Sequence, residues 1–158
     1  MNYLELARAF DREELPTSAA WAYELAIQQE GVAVETLLDL AVLYFVMNDP
    51  GYFTAHQIDK RMVDEAYPRA LAVLDIAEFR FGRLPEIMFW RLHMKERVLG
   101  EILPNEVYER LASQGVAPAI VALYVATRRS EHSMEASRVF DAQKSVKTAR
   151  SRYLLSFA

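Results

Sequence analysis

The chain has 158 residues, 53% hydrophobic and 25% charged, with a formal charge of −4 and no cysteine. This composition excludes a disordered polar segment, and the missing cysteines exclude disulfides, thiolate metal sites and cysteine nucleophiles. Five glycines and six prolines are too few for the turns of an all-β protein, whereas good helix formers abound, so the expected fold is all-α and a single domain spanning 1–158.

Punctuation residues place the helices in chain order. The first runs from about Tyr3 to Arg12 and stops at "LPTS", where Thr17 or Ser18 can cap the next. The second, "AAWAYELAIQQE", ends at Gly31. The third covers Val34 to Met47 and meets the turn signal "NDPG". A helix from about Ala55 to Glu65, a bend before Pro68 and a helix to Phe81 closed by Gly82 come next. Pro85–Leu99, Pro104–Ser113 and Ala117–Thr127 follow, and a last helix starts near Ser130 and runs toward the C-terminus.

Two stretches echo one another at a distance of 34 residues: Tyr3, Leu6, Ala7 and Phe10 answer to Leu37, Leu40, Ala41 and Tyr44. Ala19, Tyr23, Ala26 and Gly31 answer to Ala70, Leu74, Ala77 and Gly82 at an offset of 51, which is 34 plus an insertion of 17 residues at 48–64. A small residue on the first helix of a pair lets the second approach, and large residues fill the space between pairs. In this spacing the chain resembles the tetratricopeptide-repeat family over residues 3–82, with one expanded connection. The resemblance implies antiparallel helical hairpins stacked as a short solenoid. Residues 83–158 would then supply diverged helices and a C-terminal capping helix.

The same resemblance implies a concave face lined by first helices that takes up a peptide or helical segment of another protein. Leu4, Arg8 and Asp11 from the first helix and Leu38, Val42 and Phe45 from the third would face it. The competing reading places Leu38, Val42 and Phe45 in the core, covered by the chain's own insertion or later helices. A second candidate surface is the stripe Glu86, Trp90, His93 and Arg97, which helical spacing puts on one face, although a tryptophan there can equally pack beneath a neighbouring helix.

No catalytic residues, metal ligands or cofactor motifs are expected. His56, His93 and His132 lie far apart, and neither a nucleophile elbow nor a phosphate-binding loop occurs. Charge is uneven: −8 over residues 1–127 and +4 over 128–158. Arg128, Arg129, Arg138, Lys144, Lys147, Arg150 and Arg152 therefore support an alternative, a nucleic-acid-associated helical regulator. Against it, Val139, Ala142, Val146, Ala149 and Tyr153 recur at helical spacing, as a capping helix requires. That seam, extended by Leu154, Leu155 and Phe157, could also pair with a second copy. The expected role is a non-catalytic adaptor or scaffold. The N-terminus reads as neither a secretory signal nor a transit peptide and the longest apolar run, "GVAPAIVALYVAT", is too short to span a bilayer, so a cytoplasmic location is expected.

Overall fold

A computed structural model of the chain describes residues 1–114 and 134–157. The described residues form helices without strands: α1 Tyr3–Arg12, α2 Pro16–Ala26, α3 Val34–Met47, α4 Pro50–Ala55, α5 Lys60–Phe81, α6 Pro85–Leu99, α7 Asn105–Ser113, α8 Met134–Gln143 and α9 Ala149–Leu155. They fall into two compact units, Met1–Phe81 with Lys147–Arg150, and Gly82–Val146 with Ser151–Ala158. The first break lies at the end of the stretch that carries the 34-residue echo. The expected helix at 117–127, together with Arg128, Arg129 and His132, lies outside the described residues.

In unit 1, α1 begins where the Asn2 side chain accepts the Glu5 N–H at 3.2 Å. It ends in a left-handed cap at Glu14 (φ 54°), with Leu15 N–H donating to the Phe10 carbonyl at 2.9 Å and Glu14 N–H to that of Asp11 at 3.0 Å. Helix α2 starts earlier than Thr17 or Ser18, with Pro16 as its first residue, because proline lacks only an N–H that the first turn would leave unpaired. Three connecting residues force α1 and α2 into an antiparallel pair, and they pack closely.

Helix α3 is apolar on nearly every side, and a helix of that kind must be surrounded. Every residue from Thr36 to Met47 is buried, with α5, α2 and α4 packed on it. The small residues of the echo (Ala7, Ala19, Ala26, Ala41, Ala70 and Ala77) are all buried, as are Tyr23, Leu37, Leu40, Tyr44 and Leu74. Helices α1 and α3, however, do not pack extensively on one another among the described residues.

Two local expectations change within this unit. "NDPG" starts a helix instead of only turning the chain: the Asp49 carboxylate accepts the Tyr52 N–H at 3.0 Å and Pro50 is the first residue of α4. Helix α5 also continues through Pro68 without ending there. Its buried residues Ala66, Ala70, Val73, Leu74 and Ala77 share one face, while Pro68 is exposed on another, where water can satisfy the carbonyl left without its N–H partner. Arg69 pairs with Glu65 on the same helix at 2.7 Å and fastens α5 to α3 through a 3.4 Å hydrogen bond to the Tyr44 hydroxyl, which itself donates to Glu24. Arg80 reaches the Ile27 carbonyl at 2.5 Å.

Unit 2 is built around α6, whose Ile87, Phe89, Trp90, His93 and Met94 are buried and which ends at Gly100 in the left-handed conformation. Phe140 of α8 forms a second apolar cluster with Val139, Leu155 and Phe157. The expected continuous C-terminal helix is two helices. The chain turns at residues 144–146, Lys147 takes a left-handed conformation (φ 57°), and α9 begins at Ala149. Of the proposed seam, Ala142 and Val146 are exposed, so no single stripe runs from Val139 to Tyr153.

Candidate functional site

A buried polar cluster of unit 1 joins α1, α2, α3 and the segment Lys147–Arg150. Asp11 is buried near the end of α1 and uses both carboxylate oxygens. Oδ2 accepts the Tyr23 hydroxyl at 3.0 Å, and Oδ1 accepts the Ala149 backbone N–H at 2.8 Å across 138 residues of sequence. Asp39 lies one helical turn beyond Thr36 on α3, and Arg150 Nε donates to its Oδ1 at 2.7 Å. Asp39 and Arg150 side chains are 5% and 20% exposed, so this is an ion pair largely removed from water. Together the two carboxylates hold consecutive residues of one segment, one by its backbone and the other by its guanidinium. The Coulombic and hydrogen-bond parts reinforce one another because a charged acceptor makes the stronger bond.

Electrostatics follow from burial. Desolvation raises the Asp39 pKa above the ordinary aspartate value; Arg150 opposes that shift, Asp11 adds to it and Arg8 opposes it. The Tyr23 hydroxyl is held firmly protonated, first by burial and then by the negative charge of Asp11. It is therefore a fixed donor. Thr36 is buried as well, yet among the described residues its Oγ1 has no hydrogen-bond partner.

The expected groove residues divide between this cluster and the core. Asp11 belongs to the cluster, and Arg8 is an exposed cation close enough to act on Tyr23 and Asp39. Leu4 is half-buried. Leu38 and Val42 are fully buried and Phe45 is 8% exposed, so these three side chains pack in the core, because α3 is covered on all its faces. Asp39, Thr36 and Arg150 were not assigned to this site by the sequence. Asp39 did leave a signal, as the one acidic residue inside "TLLDLAVLYFVM", where a charge costs heavily unless it is paired.

In unit 2 the stripe Glu86, Trp90, His93 and Arg97 is no open surface. Trp90 is fully buried and His93 is 5% exposed, while Glu86 is half-buried and Arg97 exposed. The Tyr153 hydroxyl and His93 Nε2 are 2.6 Å apart. Phe89 stacks on His93 with centroids 5.5 Å apart, Phe157 meets it edge-on at 6.5 Å, and the Arg97 guanidinium lies 5.4 Å from the Phe157 ring centroid. The stripe is a packing surface for the last helix of its own chain. Leu154 is buried and Leu155 and Phe157 half-buried, so these residues, expected to extend a seam for a second copy, pack within unit 2.

Of the basic residues, Arg138, Lys144 and Lys147 are exposed, Arg150 is paired and Arg152 is half-buried. No group of three or more histidine, aspartate or glutamate side chains that could hold a metal occurs among the described residues, and none of their helices is long and apolar enough to cross a membrane. No protein-family model, curated protein or solved structure matches the chain.

Proposed function

We propose that the chain is a non-catalytic protein-interaction module, an adaptor or assembly component whose first two helical hairpins, α1–α2 and α3–α5, present a docking site for a segment of another protein. Tetratricopeptide-like stacking and a cytoplasmic setting belong to the same proposal. The observation that carries it is the pair Asp11 and Asp39. Carboxylates on the opening helices of successive hairpins grip one short segment by a backbone N–H and an arginine, at 2.8 and 2.7 Å. That is how a peptide is read: main-chain bonds supply affinity and one charged side chain supplies selectivity.

The site differs from the apolar groove expected of Leu38, Val42 and Phe45. Its recognition groups are acidic, so it suits a basic segment. The nucleic-acid reading loses one of its cations, since Arg150 is committed to Asp39.

The test is retention of partners from an extract of the native host on immobilised full-length chain, compared with full-length Asp39→Asn of equal helical content. At least one protein retained by the wild type and lost with Asp39→Asn supports the reading. Identical retained sets for the two chains overturn it.

A further inference from the structure

In the site just described the occupant is the chain's own Thr148-Ala149-Arg150. We propose that this segment is a resident stand-in for the partner, an intramolecular latch, and that the partner displaces it with a segment of the same chemistry: an arginine preceded by a small residue whose backbone N–H is free. The inference rests on the proposed docking function and deepens it by naming the ligand class and the regulation.

Three features of unit 1 support a stand-in. The charges are complementary, an acidic pair on α1 and α3 against a segment drawn from the basic end of the sequence. The entry to the segment is conformationally costly, because Lys147 sits at φ 57° without being glycine. The fit is also incomplete: Thr36 Oγ1, buried one turn before Asp39 and so on the same helical face, has no partner among the described residues. A ligand that repeats the Asp11 and Asp39 contacts and also supplies a donor or acceptor to Thr36 binds better than the resident segment, because it removes an unmet buried hydroxyl. Ala149 is small and buried, which sets the size limit for the residue before the arginine.

A tethered occupant competes at an effective concentration in the millimolar range. Any ligand arriving from outside therefore binds with an apparent dissociation constant raised by the inverse of the fraction of molecules with the latch open. Weakening the latch without touching the carboxylates must strengthen outside binding.

The experiment uses a fluorescein-labelled peptide of residues 145–152, SVKTARSR, titrated by anisotropy into full-length wild type, Arg150→Ala and Arg150→Ala/Asp39→Asn. Arg150→Ala is expected to bind at least about tenfold more tightly than wild type, and the double variant is expected to lose that gain. Equal affinity of wild type and Arg150→Ala, with binding lost in the double variant, overturns the latch and leaves the docking site standing. Binding that ignores Asp39 in every chain, or no binding to any of them, overturns both. Should Arg150→Ala fail to fold, 15N-labelled wild type with excess unlabelled peptide decides the matter. The latch requires the Ala149 amide to exchange with solvent on the order of tenfold faster, and an unchanged rate refutes it.

Discussion

Replacing Arg150 by alanine leaves the Asp39 carboxylate buried without its counter-charge. Removing one partner of a buried pair costs about 3–5 kcal/mol. Asp39 has an escape, however, because it can take up a proton. Neutralising a carboxyl whose unfolded pKa is about 3.9 costs ~1.4 kcal/mol per pH unit above that value, so the penalty cannot exceed about 4 kcal/mol at pH 7 or about 1.5 kcal/mol at pH 5. The partial exposure of Arg150 (20%) lowers the neutral-pH figure to about 3 kcal/mol. Burial already raises the Asp39 pKa in the intact protein. A raised folded-state value contributes stability at low pH that is lost as pH rises through it, and removing Arg150 raises it further. With Asp39 charged against Arg150 in the wild type and free to take up a proton in the variant, the stability gap between wild type and Arg150→Ala widens from pH 5 to pH 7. Urea unfolding followed by circular dichroism at the two pH values measures it. A loss below about 1 kcal/mol at pH 7, or a gap that is constant with pH, would mean that Asp39 does not depend on Arg150 for its burial.

Trp90→Ala empties a fully buried position among Phe89, His93 and Tyr153, so it should cost about 3–5 kcal/mol; a melting temperature within a degree of wild type contradicts the packing. Gln57, exposed at φ 50° after α4, should gain about 0.5–1 kcal/mol on replacement by glycine, and a loss in urea unfolding argues against the left-handed cap. In a gel-retardation assay at low and moderate salt, no duplex DNA should be retained at either, because Arg150 is already paired and the first 127 residues carry a net −8. Retention at low salt that vanishes at moderate salt would restore the nucleic-acid reading.

Much of the helical layout was legible because its signals are local. Val34–Met47 and Pro85–Leu99 fall where hydrophobic runs, prolines and glycines put them, since helix ends are set by residues within one turn. The misplacements share a cause. Pro68 predicts a break only if its face is covered, and packing leaves that face exposed. The last helix should have run on through Val146, but bonds from Ala149 and Arg150 to carboxylates more than a hundred residues away decide where it stops. The site was half-legible for the same reason. Punctuation residues put Asp11 on the first helix and the family resemblance implies a site there, whereas Ala149 and Arg150 come from a remote part of the sequence. The family resemblance implies groove positions for Leu38 and Val42, yet burial depends on how many helices surround α3. Spacing does not report that number.

Asp11 and Asp39 act together to hold one segment of chain. Native-state hydrogen exchange of the Ala149 amide tests it most directly, in full-length wild type and Asp39→Asn. Strong protection is expected in the wild type and exchange on the order of tenfold faster in the variant, since losing the Arg150 anchor loosens the neighbouring bond to Asp11. An Ala149 amide that is unprotected in the wild type, or whose rate does not respond to Asp39→Asn, contradicts it.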